Sequence, residues 1–163
     1  MHCSDTHCIA VDSEGSAWTW GKQALGREGS GAVPAKVPGL EAHKLVAGAC
    51  GRAHTLALTQ DGKVLAWGRG PALGTPTDSD KPALVSLPSK VAQVAAGSNF
   101  SLLRTAEGEL LSCGTNDFGQ LGQGTTAARH IREPRAIRSL SGAKVAHAAA
   151  GVSSRAVLFA ESR

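Results

Sequence analysis

The sequence predicts an all-β fold, a partial β-propeller of about three blades with four short strands apiece, and three observations carry that prediction. The first is a hairpin unit, His54 to Gly68 (HTLALTQDGKVLAWG). Its two apolar, β-compatible runs flank Asp61-Gly62, a pair suited to a tight turn because glycine adopts positive φ at no steric cost. The second is recurrence. The unit returns as His7 to Gly21, turning at Glu14-Gly15, and as Phe100 to Gly114, turning at Glu107-Gly108, so that Gly15, Gly62 and Gly108 lie 47 and 46 residues apart. A period between about 20 and 50 residues marks a solenoid, propeller or array, whose units bury their apolar faces only against neighbours. The third is composition: 42% hydrophobic residues, 18% charged residues and 20 glycines suit many short strands joined by turns rather than long helices or disorder.

In chain order, Met1 to Thr6 gives almost no lead-in and the first hairpin begins at His7. A connector with Gly26, Gly29, Gly31 and Pro34 leads to Ala35-Lys36-Val37, and Lys44 to Gly48 reads as a short strand closing on glycine. The second unit repeats the order through Pro82 to Val85 and Val91 to Gly97, and the third through Pro134 to Ile137 and Lys144 to Gly151. Each period thus offers about four strands, the content of one propeller blade. The repeats are placed at residues 1–48, 49–97 and 98–151, with 152–163 the start of a truncated fourth, where Arg155 to Glu161 align with Ser101 to Glu107.

Four cysteines, Cys3, Cys8, Cys50 and Cys113, show no C-x-x-C spacing, and the expectation is reduced, packed thiols. The cluster His2-Cys3 with His7-Cys8 invites a zinc reading. Cys3 and His7, however, stand 47 residues before Cys50 and His54, so repetition explains the cluster without a metal. No stretch approaches the ~18 apolar residues of a membrane span, and no basic-then-apolar start resembles a signal peptide. An intracellular protein, cytoplasmic or nuclear, is expected.

The third unit carries a specific signature: Ala96-Gly97-Ser98-Asn99-Phe100-Ser101, then Glu107 to Gly114, then Asn116-Asp117-Phe118-Gly119-Gln120-Leu121-Gly122. With His54-Thr55, Asp61-Gly62 and Trp67-Gly68, it closely resembles the regulator of chromosome condensation repeat across essentially the whole chain. The resemblance implies a ring closed by about seven blades, roughly twice this length, so the chain reads as a fragment of a larger propeller or an arc that self-associates. Two departures stand out. The corners after Gly21 and Gly68 are shortened and are expected to be irregular, and Phe100 and Ser154 stand where histidine is usual.

Chemistry was sought in each motif. Gly119 to Gly124 resembles a phosphate loop, but no Gly-Lys-Ser/Thr follows, and it reads as a turn. Ser101, His54 and Asp61 could be drawn as a hydrolase triad, but they occupy equivalent or adjacent strand positions in different repeats, so convergence does not follow and a structural role is expected. His43, His130 and His147 read as isolated surface or strand residues. No catalytic, cofactor or metal residue is assigned.

The basic excess is C-terminal: residues 129–163 hold 7 Lys/Arg against 2 Asp/Glu. Arg129, Arg132, Arg135 and Arg138 recur every third residue beside Pro134, which argues for a connector running into an outer strand, and they form the candidate partner-binding patch. The absence of interleaved aromatics speaks against nucleic acid. Two functions fit: a non-enzymatic protein-interaction module, and, as the resemblance implies, a guanine nucleotide exchange factor, or part of one, for a small Ras-like GTPase. Exchange residues lie outside the repeat motif, so none is assigned.

Overall fold

The computed structural model describes residues 1–151 together with the backbone strand Ala156–Ala160. Ser154 and the ends of the expected fourth repeat lie outside the described residues.

The hairpins form as their sequences dictate. Strands β2 (His7–Val11) and β3 (Ala17–Gly21), β6 (His54–Thr59) and β7 (Val64–Gly68), and β10 (Phe100–Thr105) and β11 (Leu110–Thr115) pair antiparallel, and each opening residue faces the closing glycine: His7 with Gly21, His54 with Gly68, Phe100 with Gly114. At Gly68 φ is +111°, and a side chain would run into the Ala53 carbonyl, so the end of the hairpin requires glycine.

Each hairpin gains a strand on either side. The sheets are β1 (His2–Cys3) to β4 (Ala35–Lys36), β5 (Leu45–Cys50) to β8 (Ser79–Leu84), and β9 (Val91–Ala96) to β12 (His130–Ala136), each in sequential order, with β13 (Val145–Ala150) and β14 (Ala156–Ala160) forming a two-stranded sheet. We number these blades 1 to 4. The sheets are out of phase with the sequence periods, because the strand at the end of each period, such as Leu45–Cys50, opens the next sheet. The lead-in also differs from expectation: His2–Cys3 is a strand, paired His2 with Ile9 and Cys3 with Cys8.

Blades touch through their apolar faces. Ile9, Leu45, Ala57, Leu65 and Trp67 form the core between blades 1 and 2; Leu56, Leu58, Val64, Val91, Leu103 and Leu111 form that between blades 2 and 3; Phe100, Leu102, Leu110, Leu121 and Val145 form the third. Blade 2 is therefore covered on both sides, and every residue of β6 and β7 is buried.

The outer strands are blunted. Pro82 in β8 and Pro134 in β12 lie in stretches where the register slips, opposite Trp67 and Cys113, and proline removes an edge donor there. Single 3-10 turns, Pro71–Leu73 and Arg138–Leu140, are the helical elements among the described residues.

The cysteines depart from the expected set of reduced thiols. Cys50 and Cys113 are free and buried, and burial pushes both thiols up to about 12, but Cys3 and Cys8 are joined in a disulfide. The register explains the bond: the lead-in folds back as β1 and sets the two residues directly across the ladder, with a Cα separation of 4.1 Å.

Candidate functional site

The loops joining the third and fourth strands of each blade, residues 22–34, 69–78 and 116–129, emerge on one face of the arc, and buried hydrogen bonds fix them. Two joints between blades share one design. His7 Nε2 meets Thr55 Oγ1 at 2.7 Å, and Thr55 Oγ1 donates to the Ala24 carbonyl at 2.9 Å; His54 Nε2 meets Ser101 Oγ at 2.9 Å, and Ser101 Oγ donates to the Ala72 carbonyl at 2.7 Å. Trp67 Nε1 also donates to Ala24 at 2.8 Å, and the Cys113 thiol points at Ala72 from 3.6 Å. The shortened corners are irregular, with Ala24 at φ 48° in the first and a 3-10 turn at Pro71–Leu73 in the second, yet each presents a carbonyl to the same kind of hydroxyl.

His54 and Ser101 do converge, and in a structural role. They touch because the His54 side chain crosses the joint between blades 2 and 3, where β6 packs against β9, the strand paired with β10. They do not form a nucleophilic pair: the one hydroxyl proton of Ser101 is committed to Ala72, so His54 Nε2 carries its proton and donates it, the reverse of a general base. Asp61 sits on the far turn, bonded to Thr59 and Lys63. Burial, with a smaller contribution from the neighbouring histidine, holds His54 down at about 3 and His7 at about 4, so both imidazoles are neutral.

Where Phe100 replaces histidine, its ring occupies the matching place, over Gly97 as His54 lies over Gly51. Blades 3 and 4 are held differently. The Gln93 side chain accepts from Ala148 N at 3.1 Å and donates to Ala148 O at 2.9 Å, and its amide lies 3.0 Å from His147 Nδ1, so His147 is not isolated.

The third loop is the most elaborate. The wholly buried Asn116 donates through Nδ2 to Thr125 O at 2.6 Å and accepts from Leu121 N at 3.2 Å, while turns close at Gly119 and Gly122, as the glycine run implied. On this frame Phe118 is 83% exposed. In the sequence Phe118 is part of the Asn116–Gly122 motif and carries no mark of a contact residue. The available signal was an aromatic among turn-forming glycines and polar residues, where no core face exists to receive it.

The four arginines do not gather into one patch. A three-residue spacing on extended chain alternates sides, and β12 runs the height of the blade, from Thr115 paired with His130 to Leu111 paired with Ala136. Arg132 is half-buried and binds Asp78 of blade 2 at 2.9 Å; Arg129 lies 3.8 Å from Asp117, beside Phe118. Arg135 and Arg138 are exposed and form no ion pair among the described residues. A groove of about 970 Å³ opens between the first loop and the start of β8, lined by Lys22, Arg27, Glu28, Asp80 and Lys81 among others. The residues of the His2-Cys3 and His7-Cys8 cluster are engaged with one another and with blade 2: His7 on Thr55, His2 Nδ1 accepting from Cys50 N at 3.1 Å, and Cys3 bonded to Cys8.

The family model described as the regulator of chromosome condensation (RCC1) repeat matches residues 14–58, 61–103 and 107–158. The chain is 34% identical over 164 residues to the E3 ubiquitin-protein ligase HERC2 of Homo sapiens, with 91% of the chain and 3% of HERC2 covered. It is 35% identical over 127 residues to human Protein RCC2, covering 71% of the chain and 24% of RCC2. It therefore spans a small part of the curated relatives it matches. Among solved structures, human WBSCR16 superposes with a TM-score of 0.83 at 23% identity, covering 99% of this chain and 44% of that one. Prp20p of Saccharomyces cerevisiae, described with its binding properties to Gsp1p and histones, gives 0.82 at 21%, covering 92% and 41%. Yeast RCC1 (Prp20) bound to Kap60 gives 0.79 at 26%, covering 95% and 40%.

Proposed function

Because the chain belongs to the regulator of chromosome condensation (RCC1) repeat family, we propose that it is a non-catalytic protein-interaction module whose loop-bearing face receives the partner. The observation that carries this reading is Phe118: an 83% exposed aromatic on a loop fixed from below by the buried Asn116. Solvating a large ring has no stabilising role in the blade, whereas a rigidly held aromatic presents contact area at little ordering cost, the usual property of an interface anchor. Arg129, 3.8 Å from the neighbouring residue Asp117, and Arg132, bound to Asp78 of blade 2, lie towards the loop end of β12, whereas Arg138 lies beyond its opposite end, so the proposed partner patch is Phe118 with the first two arginines rather than all four. A protein partner inside the cell, in the nucleus or cytoplasm, fits the binding described for Prp20p.

A second reading, guanine nucleotide exchange on a small Ras-like GTPase, is favoured by the likeness to yeast RCC1 and by the Gsp1p binding described for Prp20p. One experiment separates the two. Proteins crosslinked through a photoreactive residue at position 120 are identified, then tested for binding to the purified chain, to Phe118→Ala and to Arg129→Glu/Arg132→Glu. Binding that weakens at least tenfold in both variants, with unchanged circular dichroism, supports the module, and binding indifferent to both overturns it. Accelerated nucleotide release from a crosslinked GTPase would establish the second reading.

A further inference from the structure

The three complete blades share one cross-strand pair between their first and second strands: Cys3 with Cys8, Cys50 with Thr55, Ala96 with Ser101. In blades 2 and 3 the second member is the hydroxyl that receives the histidine of the preceding blade and pins a loop carbonyl. In blade 1 that station holds Cys8, and its bond goes across the ladder to Cys3.

We propose that Cys3 and Cys8 form a reversible thiol–disulfide site, opened by a small dithiol reductant, that latches the first strand onto the rest of the arc. Strand β1 is two residues long and has two pairings on the hairpin, so its attachment depends on the covalent tie. The turn behind it does not. Ser4 N donates to His7 O at 2.9 Å, Lys22 N to Thr6 O at 2.8 Å, and Thr6 Oγ1 to Arg52 O at 2.6 Å, so reduction releases residues 1–3 and leaves residues 4–6 in place. Release withdraws His2 from the Cys50 amide, the contact by which β1 holds blade 2. It also opens the small cavity lined by His2, Cys3, Cys50, Ala96 and Ala150 among others, where the first strands of the four blades meet.

Access separates the two kinds of cysteine. Cys3 is exposed and Cys8 half-buried, whereas Cys50 and Cys113 are buried and hold their protons. The exchange balances. A thiolate of the reductant attacks the exposed Cys3 sulfur, Cys8 leaves as thiolate and takes a proton, and the second reductant thiol resolves the mixed disulfide and frees Cys3. Two electrons and two protons pass to Cys3 and Cys8, and the dithiol ends as a disulfide.

The test needs the native chain alone. Alkylation under folded conditions without reductant should label neither Cys3 nor Cys8, and after brief treatment with dithiothreitol should label both, as mapped by mass spectrometry. Hydrogen exchange at the Cys50 amide should quicken at least tenfold on reduction, and Cys3→Ser/Cys8→Ser should show the fast rate with or without reductant. Labelling of Cys3 and Cys8 before reduction, or a Cys50 amide indifferent to reduction, overturns the proposal.

Discussion

Trp20 and Trp67 hold the same station, each next to the closing glycine of its hairpin, yet Trp67 is wholly buried and Trp20 half-exposed. The same contrast runs through both hairpins. In β2 and β3 burial alternates, with Ile9, Ala17 and Thr19 inward and Cys8, Ala10, Trp18 and Trp20 on a partly open side, whereas β6 and β7 are buried throughout. One sheet is packed on one face and the other on two. Burial in a repeat protein is thus a property of the neighbours as much as of the unit, and stability is distributed through nearest-neighbour interfaces. The joint between blades 1 and 2 nevertheless matches that between blades 2 and 3, bond for bond: histidine to hydroxyl to loop carbonyl.

The largest expected contrast is between the two tryptophans. Trp67→Ala should cost about 3–5 kcal/mol, through lost burial, a cavity and a severed bond to Ala24, and Trp20→Ala should cost about 1 kcal/mol or less. Urea unfolding of both variants measures the difference, and equal costs would show that position in the unit outweighs position in the arc.

Acid should weaken the two histidine joints alike. Both folded-state values lie below the ordinary 6.5 of an unfolded histidine, so the unfolded chain takes up protons first as pH falls. This contribution is fully present above about pH 6.5 and is lost progressively towards pH 3 to 4, at an order of 2–3 kcal/mol for His54 by pH 4.5. His54→Gln keeps a donor for Ser101 and loses the titration, so its stability between pH 7 and 4.5 should fall less steeply than that of the native chain.

Thr55→Val should cost about 1–3 kcal/mol, because it orphans the buried His7 Nε2 proton and takes one of two donors from the Ala24 carbonyl, which keeps Trp67 Nε1, while preserving shape. Thermal melting at pH 7 checks it, and a smaller loss would mean that the hydroxyl relay is dispensable. The smallest effect belongs to the open side of blade 1, where the Lys36 ammonium lies 5.3 Å from the Trp18 ring centre. Lys36→Gln should change stability by less than about 1 kcal/mol, measured by the same melt.

Most of the fold was legible in the sequence, because glycine at a fixed interval and alternating strands encode hairpins locally. The convergence of His54 with Ser101 was not, since it depends on how neighbouring sheets stack, and periodicity along one chain says nothing of that distance. The strand at His2–Cys3 escaped notice because two residues make no pattern, and the disulfide followed from that omission. The arginine run stands out by its spacing and charge, which carry no information on how its members are arranged in space. On an extended strand every third residue changes sides, and Asp78, which engages Arg132, comes from another blade. Phe118 gave the converse case, a motif residue whose exposure appears only once Asn116 is seen to fix the loop beneath it.

Pro82 and Pro134, noted above as blunting the outer strands, also decide how this protein goes wrong at high concentration. A circumference interrupted by proline offers poor templates for a foreign strand, so cross-β growth has few places to start on the rim. Trp18 and Trp20, partly in solvent on blade 1, offer contact through side-chain faces rather than backbone ladders.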